Sequence, residues 1–317
     1  MTIVFWDKSY VAPQHSFNTT RKSKDVADLV KAMKVETGIA LRAPSGAMCH
    51  TAETWIEDLH DPEYIEALRT GEPFSLASSN GFPWDEGIWE MAVHSTGGIL
   101  EAVDMARFTG GIYGSLSSGL HHANDRYGTG FCTINGLVVA AYHALNVGIP
   151  GGANSIQPAK RVLIVDYDAH CGGGTHAFLR DAGSWADSVD VVDLSTSSFD
   201  SYDMSERADD ILIVNHNEAD YMEIVDELLF DLHQYDLILY NAGVDPYPTI
   251  SFDNLAKRDR IVFDRIREAR VPCAFVLAGG YTSSYRTIEL LSKAHMNTIL
   301  AADEQMALSE EVLLSQD

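Results

Sequence analysis

Short runs of apolar residues alternate along the chain with longer segments in which apolar residues recur every three or four positions. The short runs are typical of buried strands, and the longer segments are typical of amphipathic helices. Their alternation from one end of the chain to the other predicts an α/β fold, in which helices cover both faces of a parallel sheet. The predicted strands are 2–6, 111–116, 161–166, 189–194, 211–215, 236–241 and 273–278. The predicted helices include 22–35, 84–109, 133–147, 218–232, 252–269 and 283–301.

Neither an internal repeat nor a low-complexity linker interrupts this alternation. Although 317 residues is long for one domain, α/β architectures often reach that size undivided, so we expect a single domain over residues 1–317. Ligands of open parallel sheets bind beyond the carboxyl ends of the strands. Residues that carry chemistry are therefore expected directly after the predicted strands.

Charge and composition narrow the classes of partner. Acidic residues outnumber basic ones by 46 to 22, and the net charge is −24. A surface this negative repels nucleic acid and anionic lipid and could steer cationic ligands inward, although the same charge could serve only solubility or a salty habitat.

The chain has no apolar run long enough to cross a membrane and no signal-peptide layout at its start. Scattered cysteines without metal-finger spacing predict reduced thiols and a cytoplasmic protein; they are Cys49, Cys132, Cys171 and Cys273.

The most informative cluster follows the predicted strand 161–166 and reads Asp166-x-Asp168-x-His170. If the chain stays extended, alternate side chains share one face and these three groups converge. Two carboxylates and an imidazole at one strand end are costly unless a cation lies among them, and a borderline divalent ion accepts this mixture of ligands. The alternative is an acidic turn whose aspartate caps a helix.

A third metal ligand is available after the strand 236–241, where Asp245 follows Gly243. An aspartate in this position is more often a turn or cap residue, but here it supplies the ligand that the first cluster lacks. Catalytic zinc commonly keeps three protein ligands and leaves one position open for water. The pattern therefore predicts a metal centre in which Asp245 adds a ligand to the Asp166-x-Asp168-x-His170 cluster.

Two further strand ends carry candidate catalytic groups. His121 and His122 follow the strand 111–116 and could act as general acid and base, although isolated histidine pairs are more often satisfied loop residues. Tyr281 follows two glycines after the strand 273–278, where its phenol could hydrogen-bond an oxyanion or simply pack under a loop. Gly130 and Phe131 could line a narrow channel, and core packing of Phe131 is equally compatible with the sequence.

Taken in chain order, these motifs resemble the histone deacetylase superfamily, which includes acetylpolyamine amidohydrolases and acetoin-utilisation-type proteins. The matching segments are His121-His122-Ala, Gly130-Phe131-Cys132, Asp166-x-Asp168-x-His170, Ala242-Gly243-x-Asp245 and Gly279-Gly280-Tyr281. The resemblance implies one deacetylase-like catalytic domain with the arginase/deacetylase fold, built on a parallel sheet of about eight strands.

The resemblance also implies the roles of individual residues. Asp168, His170 and Asp245 would bind Zn²⁺, with Fe²⁺ or Co²⁺ as alternatives. His121 would pair with Asp166, His122 would take a proton from the attacking water, and Tyr281 would polarise the acyl carbonyl. The substrate channel would be lined by Gly130, Phe131 and Phe199. A structural K⁺ would be held around Asp166, Asp168, His170, Asp193 and Leu194.

Two departures from the family pattern affect function. The family usually has Asp or Asn at the position of Gly173, where it orients the second histidine of the pair. His122 must therefore find another partner or a water molecule, or act as a poorer base. Peptide-binding members carry a rim aspartate near the position of Gly81, so we expect a small substrate rather than a peptide, unless Asp85 replaces that carboxylate.

These observations predict a metal-dependent amidohydrolase that removes the acyl group from a small N-acylated amine, such as an acetylpolyamine or acyl-lysine. We expect binding to neither nucleic acid nor membranes, and the chain could form a homo-oligomer. Two alternatives remain. One is a catalytically silent metal-binding relative, which Gly173 favours and Tyr281 opposes. The other is an arginase-type ureohydrolase, which would need more aspartate ligands for two manganese ions.

Overall fold

The structure, a computed structural model, describes residues 2–11, 21–118, 120–152, 155–284 and 286–314. In these ranges eight strands form one sheet in the order β2-β1-β3-β8-β7-β4-β5-β6, and every neighbouring pair is parallel. The strands are β1 (Ile3–Phe5), β2 (Ala40–Arg42), β3 (Ile112–Ser115), β4 (Val162–Asp166), β5 (Val189–Ser195), β6 (Ile211–Val214), β7 (Leu237–Gly243) and β8 (Cys273–Ala278).

The predicted parallel sheet of about eight strands is confirmed. All seven strands expected from apolar runs are present, and the eighth, β2, was missed. This edge strand has only three residues, and none of them is fully buried. Because it pairs with β1 on one side only, it needs no continuous apolar run and leaves no clear signal in the sequence.

Ten α-helices lie in the described residues, and the predicted helices correspond to six of them, one (252–269) with the same bounds and five with shifted ends. Two of the shifts have a visible cause, because the helix begins where a side chain caps its first turn. Asn135 accepts a hydrogen bond from the amide of Val138, and Thr287 accepts one from Leu290. The α-helices are α1 (Lys22–Thr37), α2 (Gly46–Leu59), α3 (Pro62–Thr70), α4 (Phe74–Ala77), α5 (Ile88–Thr109), α6 (Gly136–Asn146), α7 (Gly173–Asp181), α8 (Glu218–Glu227), α9 (Phe252–Ala269) and α10 (Ile288–Leu314).

Two apolar cores cover the two faces of the sheet. Alternate residues of the central strands point to opposite sides, so Ile164 of β4 joins one core while Val165 joins the other. The first core includes residues of α2, α3, α5, α6 and α7, and the second includes residues of α1, α8, α9 and α10. Both faces of the central strands are thereby buried, as parallel sheets require. In the described part of the chain, no helix is both long and apolar enough to cross a membrane.

Candidate metal centre and active site

Asp168, His170 and Asp245 lie together at the carboxyl edge of the sheet, and each contributes one potential ligand atom within 4.8 Å of the other two. They come from the segments that follow β4 and β7, which are neighbours in the sheet. The expectation that the chain stays extended through this motif is wrong: β4 ends at Asp166, and residues 168–170 form a bend. The bend turns His170 back so that its ring nitrogen Nδ1 lies 3.0 Å from Oδ1 of Asp168.

The hydrogen-bond pattern of these carboxylates fits a cation. Oδ1 of Asp168 accepts from the amide of His170, and Oδ1 of Asp245 accepts from the amide of Gly280 at 2.8 Å. Oδ2 of each aspartate is buried and has no hydrogen-bond partner among the described residues. Burial and the nearby charge of Asp168 raise the pKa of Asp245. Two unpartnered buried carboxylate oxygens beside an imidazole form the set of donors that a borderline divalent ion binds.

Glycines at two strand ends allow the carboxylates to approach each other. A Cβ atom on Gly243 would lie 2.5 Å from the Cα atom of Asp168, and one on Gly279 would lie 2.4 Å from Cγ of Asp245. Gly279 also has a φ of 64°, which favours glycine. The close approach of Asp168 and Asp245 therefore requires the absence of side chains at both positions.

The histidine pair lies beside this centre, with ring centroids 4.0 Å apart. His121 Nδ1 is 2.8 Å from Asp166 Oδ2, as the family resemblance implies. His122 Nδ1 is 2.7 Å from Oδ2 of Asp200, a residue that the sequence analysis missed. Asp200 lies in the loop after β5, and its only signal in the sequence is that it is an acidic residue shortly after a strand.

The pKa values of the two histidines are shifted in opposite directions. Burial lowers the pKa of His121, but the charge of Asp166 and the hydrogen bond to it outweigh burial and raise the pKa to about 10. Burial and the neighbouring charge of His121 lower the pKa of His122, and Asp200 offsets this only in part. At neutral pH, His121 is therefore a cation and His122 a neutral imidazole that can accept a proton.

Tyr281 reaches the same site through a turn at Gly279 and Gly280, both of which have positive φ. Its amide lies 3.4 Å from Oδ1 of Asp245, and its ring centroid is 5.4 Å from that of Phe131. Burial raises the pKa of the Tyr281 phenol, so the hydroxyl keeps its proton and can donate a hydrogen bond.

Two aromatic side chains form the rim. Phe131 is 39% exposed and Phe199 is 52% exposed, so the core-packing interpretation of Phe131 is wrong. Phe131 stacks on Phe82, whereas Phe199 lies edge-on to His122 and His170 at centroid distances of 5.2 and 5.7 Å.

Gly130 and Gly81 both lie against these rim and catalytic rings. A Cβ atom on Gly130 would lie 2.3 Å from the ring of His122, and one on Gly81 would lie 3.3 Å from Phe131. Asp85 does not replace the rim carboxylate, because it is buried and accepts a hydrogen bond from the amide of Gly87 at the start of α5.

A second cavity adjoins the metal centre and was not anticipated from the sequence. The two share Leu120 and Tyr281 in their linings. Lys22 also lines this cavity, and its buried Nζ has no hydrogen-bond partner among the described residues. Burial lowers the pKa of Lys22 to about 8.

Residues 15–299 match the family described as Histone deacetylase domain. This chain belongs to the histone deacetylase family. An uncharacterized protein of Picosynechococcus sp. is 29% identical over 244 residues, which cover 73% of this chain and 76% of that protein. Histone deacetylase 2 of Arabidopsis thaliana is 28% identical over 203 residues, which cover 59% of this chain but only 49% of the plant protein.

The fold of this histone deacetylase family member also matches a solved structure. Acetylpolyamine aminohydrolase from Burkholderia pseudomallei superposes with a TM-score of 0.71 at 17% identity, covering 95% of this chain and 98% of that one. The likeness shows that the two proteins share the arginase/deacetylase fold.

The residues that the family resemblance assigns to K⁺ also lie together. Asp166 and Asp193 are register partners on β4 and β5, and Leu194 follows in β5. Oδ2 of Asp193 accepts from the amide of Gly172 at 2.7 Å, and Oδ1 of Asp166 accepts from the Asn241 side chain at 2.8 Å. The potassium site stays a prediction.

Proposed function

We propose that this histone deacetylase family member hydrolyses the amide bond of a small N-acylated amine. The observation that carries the proposal is the pair of unpartnered, buried Oδ2 atoms of Asp168 and Asp245 beside His170. A neutral histidine and a protonated phenol flank them, so the groups that the reaction needs are close together and in usable protonation states.

Each residue then has a defined task. Asp168, His170 and Asp245 would hold a divalent ion, for which Zn²⁺ is our first choice and Fe²⁺ and Co²⁺ are alternatives. When bound, that ion supplies Lewis-acid chemistry, lowering the pKa of water and polarising a carbonyl. His122 accepts the proton of the attacking water, and the Tyr281 hydroxyl donates a hydrogen bond to the oxygen on which charge develops. Asp166 keeps a proton on His121, whose imidazolium ring lies next to His122.

A small amine, such as an acetylated polyamine or a free acyl-lysine, suits the rim better than a peptide. Gly81 carries no carboxylate that could hold a peptide backbone, and Asp85 is buried. The net charge of −24 favours approach of a cationic substrate. The solved relative from Burkholderia is itself named for acetylpolyamine hydrolysis.

Two other functions are less well supported. An arginase-type ureohydrolase would need ligands for a second metal, and the described residues contain a single cluster of metal-ligand type. A silent binding protein was favoured by Gly173, but Asp200 now provides His122 with a partner.

The test is a panel of acylated amines assayed against protein of measured metal content. It should contain acetylated polyamines, acyl-lysines and acetylated peptides, and it should vary acyl length because a second cavity adjoins the site. We expect turnover of at least one small acylated amine in the zinc-loaded protein. If fully metallated protein hydrolyses no compound of the panel, the proposal is contradicted.

Ligand variants test the assignment of the centre. Asp168→Ala, His170→Ala and Asp245→Ala should each lose bound metal and activity together, because three ligands are the minimum set. Asp58→Ala, which changes an exposed aspartate on α2, is the control and should keep both. Full metal occupancy in all three ligand variants would disprove the assignment.

A further inference from the structure

We propose that Asp200, in the loop after β5, is the positioning residue that orients the His122 ring. Gly173, at the start of α7, has no side chain with which to do so. The inference rests on the proposed function, since it concerns the histidine that accepts the proton. It identifies a residue outside the ordered set of family motifs and answers what orients His122 when residue 173 is glycine.

The contacts of Asp200 hold the imidazole ring in one orientation. Its Oδ2 lies 2.7 Å from Nδ1 of His122 and also accepts a hydrogen bond from the amide of Gly174 at 3.3 Å. A carboxylate at Nδ1 favours the tautomer with the proton on that nitrogen, which leaves Nε2 free to accept a proton. The amide of Gly174 fixes the carboxylate in turn, so the position of the ring is linked to α7.

The space around Gly173 shows why the carboxylate comes from a different element. A Cβ atom on Gly173 would lie 2.4 Å from the main-chain oxygen of Asp200 and 2.5 Å from its Oδ1. Both distances are shorter than any real contact of a Cβ atom, so a side chain at residue 173 and Asp200 in its present place exclude each other. Gly173 therefore makes room for the residue that orients His122.

The backbone of Asp200 is suited to this place as well. Its φ is 61°, in the left-handed region that Asp, Asn and Gly tolerate better than other residues. The residue before it is Phe199, whose ring lies edge-on to His122. One short loop thus supplies both the rim aromatic and the partner of the histidine.

The backbone conformation determines the choice of variants. Asp200→Gly removes the carboxylate without forcing a side chain into positive φ, and Asp200→Asn keeps an oxygen acceptor in the same place. The matched control is Asp231, an exposed aspartate with a φ of 50° that makes no side-chain cap hydrogen bond at the start of its 3₁₀ helix. Asp231→Gly and Asp231→Asn should leave all readouts unchanged.

Two measurements on zinc-loaded protein separate positioning from a merely structural role. In steady-state kinetics with the best acylated amine, we expect Asp200→Gly to lower kcat by about 10- to 100-fold with little change in KM, as loss of an orienting partner typically does. Asp200→Asn should recover at least part of kcat. Metal content and Tm of both variants should stay near those of the wild type.

The second measurement does not depend on turnover. Nitrogen-15 correlation spectra of the histidine rings, with His122 assigned by His122→Gln, should show the Nδ1–H tautomer in the wild type and in Asp200→Asn. That preference should be lost in Asp200→Gly. An inactive wild type with this tautomer pattern would contradict the proposed function and leave the positioning role supported. Unchanged kcat or an unchanged tautomer in folded, metallated Asp200→Gly would overturn the positioning role.

Discussion

His121 and His122 are adjacent in sequence, yet their side chains have different chemistry because they meet different carboxylates. Asp166 is almost fully buried, and its charge holds a proton on His121. The Asp200 side chain is 26% exposed, and burial together with the charge on His121 keeps His122 neutral. A proton acceptor and a fixed cation therefore arise from two identical residues through their surroundings alone.

The role of Tyr281 can be tested by removing its hydroxyl group alone. Tyr281→Phe removes only the hydroxyl, so turnover should fall by roughly 10²–10³-fold, the usual loss for one oxyanion donor. Metal content should stay at the wild-type level, because the phenol is not among the three ligand residues. Tyr127→Phe, which removes an exposed phenol, is the control. Unchanged kcat in Tyr281→Phe would show that the tyrosine is structural.

The ends of β4, β7 and β8 determine the geometry of the metal centre. β4 and β7 are in register from Val162 and Leu237 onward, so Asp166 lies beside Asn241 near the carboxyl ends of the two strands. β7 continues to Gly243, where the backbone passes directly over Asp168. The distance between the carboxylates thus depends on how closely two strand ends can pack.

Gly243→Ala tests this dependence. Its Cβ atom would meet both the Cα atom and Oδ2 of Asp168, at 2.5 and 2.6 Å, and neither the backbone nor the buried side chain can move away freely. We expect metal affinity to fall by at least about 10-fold and the free energy of unfolding to fall by about 1–3 kcal/mol, as overpacking typically costs. Isothermal titration with Zn²⁺ and urea denaturation measure the two effects.

Gly46→Ala is the matched control, because a Cβ atom at Gly46 would meet nothing within 4 Å. It should leave both quantities near those of the wild type. Wild-type zinc affinity in Gly243→Ala would mean that the strand ends tolerate a wider spacing than the structure shows.

Across the whole molecule, buried histidines outside the three candidate ligand residues make stability depend on pH. Burial lowers the pKa of His60 to about 4 and lowers the pKa of His295 well below its usual range. Both are neutral in the folded protein at pH values where they would be protonated in the unfolded chain. The unfolded state therefore binds more protons as pH falls through the ordinary histidine range, and stability decreases.

His60→Asn tests this linkage, since the asparagine amide can still donate to the Ile56 carbonyl that His60 Nδ1 contacts at 2.9 Å. Between about pH 7 and pH 5, the wild type should lose about 2 kcal/mol through His60 alone, most of which His60→Asn should not lose. Urea denaturation at the two pH values measures the difference. His216→Asn, at an exposed position, should keep the wild-type pH dependence. An equal loss in His60→Asn would show that His60 does not drive it.

Periodicity and strand-end chemistry were sufficient to predict the parallel sheet, its two covered faces and the convergence of Asp168, His170 and Asp245 at one edge of the sheet. These features follow from rules that act locally: apolar runs bury, and polar groups after parallel strands collect at one edge. The short edge strand β2 was not predicted, because a half-buried strand of three residues has no distinctive pattern. The helices α2, α3, α4 and α7 were not predicted either. The starts of α6 and α10 moved because a capping residue, rather than the apolar pattern, determined the first turn.

The partner of His122 could not be found from the sequence, and the reason is spatial. Residue 173 and Asp200 are far apart in the chain, yet a side chain at residue 173 would occupy the volume that Asp200 fills. Only the packing of the loop after β5 against α7 reveals this overlap. The opposite pKa shifts of His121 and His122 likewise depend on burial and on the distances to Asp166 and Asp200. Residue type and spacing identify which groups can do chemistry, whereas their protonation and orientation follow from neighbours that are distant in sequence.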